Sequence, residues 1–99
     1  MIHDALRLIR LCNGYDINKT ALLTGINPSD IVNIESGKLD VSDVIIHKYA
    51  SVFKMSEKEI KVFSEIQKVG EDEKTYYFRG KITSNILRLL NWIYLQHKA

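Results

Sequence analysis

The sequence predicts an all-α fold: a bundle of five short helices with an additional C-terminal helix. Three observations point to it. Apolar residues recur at spacings of three and four, and no stretch alternates convincingly in the manner of a strand. Gly14, Gly25 and Gly37 break the first forty residues into short segments. The segments open on residues able to cap a helix: Asp16 or Asn18, Asn27, Ser42 and Ser56.

Helix 1 is expected from about Asp4 to Asn13, with Leu6, Leu8 and Ile9 as its apolar stripe and Asn13-Gly14 as its close. Tyr15 follows as an anchor. Helix 2 starts at the Asp16/Asn18 cap, turns the small Ala21 inward and ends at Gly25. Helix 3 follows the Asn27 cap, with Pro28 at the first helical position, where a missing N–H is harmless. Ile31 and Ile34 face inward and Gly37 ends it. Helix 4 runs from the Ser42 cap to about Phe53, with Val44, Ile45, Tyr49 and Phe53 on one side. Helix 5 opens on Ser56-Glu57-Lys58-Glu59, a capping box, and continues through Ile60, Phe63 and Ile66. Residues 70–75 then read as a polar hinge, 76–80 as an aromatic segment that could be extended, and 82–96 as a strongly apolar helix. The expected organisation is a helical domain over 1–69, followed by hinge, aromatic segment and oligomerisation helix over 70–99.

With 99 residues, 45% of them hydrophobic and 26% charged, the chain suits one small soluble domain. No apolar run of spanning length exists, and charges from Asp4 onward argue against a secretory signal, so a cytoplasmic protein is expected. The single cysteine, Cys12, cannot form an intramolecular disulfide and shares a helical face with Leu8 and Ile9, which makes it a small packed side chain. His3, His47 and His97 are scattered, and no metal spacing, phosphate loop or nucleophile elbow is present. Neither an enzyme nor a cofactor is expected. The net charge of +2 comes entirely from residues 70–99; residues 1–69 hold nine basic and nine acidic side chains.

Residues 17–36 carry the functional signal. Ala21 is small where helix 2 meets helix 3, and Gly25, four residues on, supplies the backbone freedom for the turn. Ile26, Ile31 and Ile34 plug the pair into the bundle, which leaves Asn27, Ser29, Val32, Asn33 and Ser36 pointing outward. In these residues the sequence resembles the phage-repressor-like (Xre/Cro/CI type) helix-turn-helix proteins. The matching positions are Arg10, Ala21, Gly25-Ile26, Ile31, Ile34-Glu35 and Gly37-Lys38, in a register without gaps from about residue 4 to residue 66.

The resemblance implies a five-helix, lambda-repressor-like bundle with helix 3 in the major groove of double-stranded DNA. It also implies that Arg10 pairs with Glu35, tying helix 1 to the end of helix 3. Carried over position by position, the base-reading set is Pro28, Ser29 and Asn33, with Asn27, Val32 and Ser36 beside them. Asn33 can make a bidentate contact to adenine and Val32 can touch a thymine methyl. Asn18, Lys19 and Lys38 are the implied backbone anchors. The chain also departs from the pattern. Ile17 stands where a polar residue is common and Thr20 where a leucine is usual, while Asp30, Asp40 and Asp43 add negative charge near the reading helix. These departures motivate an alternative reading, a protein–protein interaction module on the same scaffold.

In the C-terminal helix, Ile82, Ile86, Leu89 and Ile93 form a seam at spacings of four, three and four, and Leu87, Leu90 and Tyr94 form a second stripe. A helix apolar on most sides must be covered on most sides. One stripe is expected on the bundle and the other against a second copy. The expected dimer contacts are Tyr76, Phe78, Ile82, Ile86, Leu89, Leu90, Trp92 and Ile93. The polar face lacks the dense Lys/Arg of a membrane-surface helix. The functional expectation is therefore a homodimeric, sequence-specific DNA-binding regulator, a repressor or autoregulator of a mobile element, phage or plasmid locus. Its partners would be DNA, its own second copy and a second regulatory protein.

Overall fold

Capping side chains fix where most helices begin. The Asp16 carboxylate accepts from the Lys19 amide at 2.7 Å, the Asn27 side chain from the Ser29 amide at 2.9 Å, and the Ser42 hydroxyl from the Ile45 amide at 3.3 Å. Ser56 and Glu59 make the full reciprocal capping box, at 2.9 and 3.0 Å. The computed structural model of the chain describes residues 1–68 and 80–98, in six helices: α1 Ile2–Cys12, α2 Ile17–Thr24, α3 Pro28–Glu35, α4 Asp43–Phe53, α5 Glu57–Lys68 and α6 Ser84–Lys98. No strand occurs among the described residues. The expected hinge at 70–75 and the aromatic residues 76–79 lie outside them. α1 starts two residues earlier than its sequence pattern suggested, so Asp4 sits in its first turn and Arg10 in its last, each complementing the helix dipole.

One core joins all this. Leu6 and Ile9 of α1, Ile34 of α3, Tyr49 of α4 and Ile60 and Phe63 of α5 are almost completely buried together. Tyr15 anchors the α1–α2 connection through its ring, 5.2 Å from that of Phe53.

Two sequence expectations need correction. The buried face of α4 is Ile46, Tyr49, Ala50 and Phe53, a stripe at i, i+3, i+4 and i+7. Ile45 falls at the margin of that stripe, and Val44, opposite its centre, is 64% exposed. The second correction concerns α6. It lies against α1 and α5, and its Ile86 and Leu89 are completely buried in the same core, with Leu90 and Ile93 packed at the edge. Residues on both sides of position 69/70 therefore contribute to one core. Ile86 and Leu89, expected at a dimer interface, have no surface left to offer one.

A polar latch seats α6. The Glu59 carboxylate, already bonded to the Ser56 amide, accepts hydrogen bonds from the Thr83 hydroxyl and, at 3.3 Å, from the Asn85 amide. Thr83 in turn caps α6 by accepting from the Ile86 amide at 3.3 Å. The Ser56 amide first, then the Thr83 hydroxyl, holds the Glu59 carboxyl below the usual carboxylate range, with burial opposing. Its contribution is thus complete above the ordinary carboxylate pKa and is lost as pH falls through the lower folded value. An acid titration followed by the fluorescence of the half-buried Trp92 should show α6 loosening as pH falls below the usual carboxylate range. Glu59→Gln should loosen α6 at neutral pH and flatten that acid limb; identical acid limbs would remove Glu59 as the latch.

Thr20 is completely buried on α2, yet its hydroxyl has no hydrogen-bond partner among the described residues. An unpaired buried hydroxyl is destabilising, and valine has the same shape without it. Thr20→Val should therefore raise stability by about 1–2 kcal/mol, read as a higher midpoint in urea unfolding.

Candidate functional site

The α2–turn–α3 unit is the part of the fold where sequence expectation and exposed polar chemistry coincide. Gly25 closes α2 with φ +75°, a left-handed conformation, and donates to Ala21 O at 2.9 Å. Thr24 stitches the turn: its hydroxyl donates to Thr20 O at 2.7 Å and accepts from the Ile26 amide at 3.2 Å. Asn27 then caps α3, accepting from both the amide and the hydroxyl of Ser29. At the other end, Gly37 has φ +83°, and a Cβ there would lie 3.1 Å from the His3 ring of α1. The end of α3 is thus closed against α1.

The inward side of α3 consists of Ile31, Ile34 and Glu35. Glu35 is only 4% exposed. Arg10 Nε donates to both its carboxylate oxygens, at 2.9 and 3.0 Å, and the Tyr49 hydroxyl donates to Oε2 at 2.7 Å. Arg10 Nη1 also donates to Tyr15 O at 2.8 Å. Burial, and then the bond to the Glu35 carboxylate, push the Tyr49 phenol far above its usual pKa, so it stays a donor. The pair Arg10–Glu35 named from sequence is thus one edge of a buried network joining α1, α3, α4 and the α1–α2 connection. Tyr49 and the Tyr15 carbonyl carried no local sequence signal for that role.

The outward side of α3 carries Ser29, Val32 and Ser36, all exposed, and Asn33, half-buried. The Asn33 carboxamide has no hydrogen-bond partner among the described residues, while its backbone carbonyl accepts from the Lys38 and Leu39 amides. Asn18, Asn27, Pro28 and Lys38 are exposed around this face. The Lys19 ammonium lies 4.1 Å from the Tyr15 ring centre, a cation–π contact that leaves it at the surface. An open groove of about 400 Å³ runs between α1, α2 and α3, lined by Arg7, Ile17, Val32 and Ser36. Arg7 and Leu22 were not singled out from sequence. Leu22, 81% exposed, was accessible to it, because an inward Ala21 on so short a helix turns its neighbour outward.

Of the expected dimer residues, Tyr76 and Phe78 lie outside the described residues, Ile86 and Leu89 are consumed by the core, and Leu90, Trp92 and Ile93 are half-buried. Ile82 is 37% exposed. Cys12 is half-buried, its thiol pushed up by burial and drawn partly back by Arg88, whose Nη1 lies 3.7 Å from Sγ. Among the described residues no cluster of side chains could hold a metal, and no helix is long and apolar enough to cross a membrane.

Glu35→Gln keeps the shape but leaves Arg10 buried without its counter-charge. The expected loss is about 3–5 kcal/mol of unfolding free energy. The double variant Arg10→Met, Glu35→Leu should lose less than the sum of its single changes, because neither then strands a partner. Additive losses in denaturant unfolding would contradict the pairing.

No protein-family model, curated protein or solved structure matches the chain.

Proposed function

We propose that the chain is a cytoplasmic, homodimeric, sequence-specific DNA-binding regulator, acting as a repressor or autoregulator of a mobile element, phage or plasmid locus. In this reading the bundle is of the lambda-repressor type and α3 enters the major groove. The observation that carries the proposal is the two-sidedness of α3. Its rear is clamped by Ile31, Ile34 and the Glu35 network, while Ser29, Val32, Asn33 and Ser36 face away from the core or its margin. A hydroxyl, a branched aliphatic group and an unpaired carboxamide are the chemical types that read base edges. Asn18, Lys19 and Lys38 would hold phosphates on either side.

Selection of bound fragments from a random DNA library should return a palindrome whose half-sites are about one helical turn apart, the separation a two-fold pair of α3 helices would impose. Asn33→Ala should relax preference at one base pair and weaken the selected site by about 1–3 kcal/mol. Lys38→Ala should weaken all sequences alike and reduce the salt slope by about one. Failure to enrich any sequence at low salt would end the reading.

A second reading is favoured by the apolar and acidic residues on the same unit. Leu22 is 81% exposed and Leu23 and Val32 are each 50% exposed, with Asp30 exposed nearby. Such a surface suits a protein partner as well as a nucleic acid, and the scaffold would then serve as an interaction module. Co-purification of a different protein that is released by Leu22→Glu, with no DNA enriched, would select it.

A further inference from the structure

The groove between α1, α2 and α3 holds one charge that has no partner among the described residues. Its buried lining is the Arg10–Glu35 pair, and that pair is complete: the carboxylate accepts two bonds from Arg10 Nε and one from the Tyr49 hydroxyl. Asp4, also on the lining, lies 3.4 Å from His3 Nε2 and 3.9 Å from the Met1 amino group. Asp16, just before Ile17, is turned to the Lys19 amide of its own helix. Arg7 is the lining cation left over. It is exposed, and its guanidinium makes no hydrogen bond or ion pair among the described residues. We infer that Arg7 is a phosphate-binding residue, and that one sugar–phosphate strand of duplex DNA occupies this groove against Ile17, Val32 and Ser36.

The inference rests on the DNA reading of α3 and gives that reading a side. An α-helix about 10–12 Å across fills a major groove about 12 Å wide, so a backbone strand runs along each of its flanks. At 100° per residue Val32 and Asp30 lie about 160° apart around α3, which puts them on opposite flanks. The Val32 flank faces Arg7 across the groove. The Asp30 flank carries an exposed acid. Charge that nearly cancels over the whole unit is thus sorted, with a free cation beside one flank and an anion on the other. A phosphodiester strand gains on the first and is repelled by the second. The planar fork of the guanidinium matches two phosphate oxygens at once. Ile17 and Val32 supply apolar wall for the sugars between phosphates. An acidic protein segment would suit the same cation. The nucleic acid is favoured because the wall opposite Arg7 is α3 itself, so a strand seated there leaves Ser29 and Asn33 over base edges.

The test titrates the wild-type chain and Arg7→Gln with two duplexes over a range of salt. One duplex is recovered by the wild type from the random library, and the other is unrelated and of equal length. Arg7→Gln should lower the slope of log affinity against log salt by about 0.9 for each copy bound and weaken both duplexes alike, by about eightfold per copy at 0.1 M salt. Arg7→Lys should keep the slope, and both variants should keep the wild-type midpoint in urea. Ethylation of single phosphates should show one position in each half-site that blocks the wild type and is indifferent for Arg7→Gln. A selected duplex bound with equal affinity and equal slope by the wild type and Arg7→Gln overturns the inference and leaves the DNA reading standing. A wild type that enriches no duplex overturns both. Release of a co-purified protein by Arg7→Glu, with DNA affinity intact, assigns the groove to a protein partner and overturns the inference.

Discussion

The buried carboxylate of Glu35 governs how α3 is presented. An eight-residue helix is far too short to be stable in isolation, so its orientation comes from what it packs against. Ile31 and Ile34 supply attraction, but apolar burial is non-directional and would tolerate rotation of the helix about its axis. The hydrogen bonds from Arg10 and Tyr49 do not tolerate it. They fix the angular position of Glu35 and therefore of Ser29, Val32, Asn33 and Ser36 on the other side. The same guanidinium holds the Tyr15 carbonyl, which sets where α2 begins. A buried ion pair of this kind adds little net stability over a well-packed apolar substitute. Its value here is geometric: it converts a loosely specified helix into one with a fixed face.

The turn between α2 and α3 follows the same logic on a smaller scale. Thr24 and Thr20 are both buried polar residues, but their situations differ. The Thr24 hydroxyl closes α2 and opens the turn through two backbone bonds. The Thr20 hydroxyl has no partner among the described residues, and its methyl does the packing. Thr24 therefore positions α3, whereas Thr20 is a destabilising element inside the unit that presents the site.

What was legible in the sequence was local. Asp16, Asn27-Pro28, Ser42 and the Ser56/Glu59 box place helix ends because a cap needs only residues within one turn. Gly25 and Gly37 were legible because a left-handed backbone demands them; Lys54, which ends α4 with φ +57°, was not, since lysine gives no such signal. Faces were legible only where a helix is amphipathic in one way. In α4 the run Val44-Ile45-Ile46 points in three directions, and only the shape of its neighbours chose Ile46. In α6 both stripes are apolar, and the pocket between α1 and α5 took Ile86 and Leu89. For the candidate site, the outward residues of α3 could be read from spacing. The network behind them could be read only for Arg10 and Glu35, through the resemblance, because the sequence separation of Tyr49 from Glu35 hides its bond.

The charge around α3 is nearly balanced, and this bears on how the proposed DNA contact would be held. Around the α2–α3 face the cations Arg7, Lys19 and Lys38 are offset by Asp16, Asp30 and Asp40, so little counterion release would be gained there. Under the proposed function, a single copy would then hold a half-site through base-edge contacts with scant help from phosphates. Two copies on adjacent half-sites would each raise the effective concentration of the other, so that contacts weak alone would suffice together. The acidic residues beside α3 would in that case set how much protein is needed for occupancy and would be no mark of lost function.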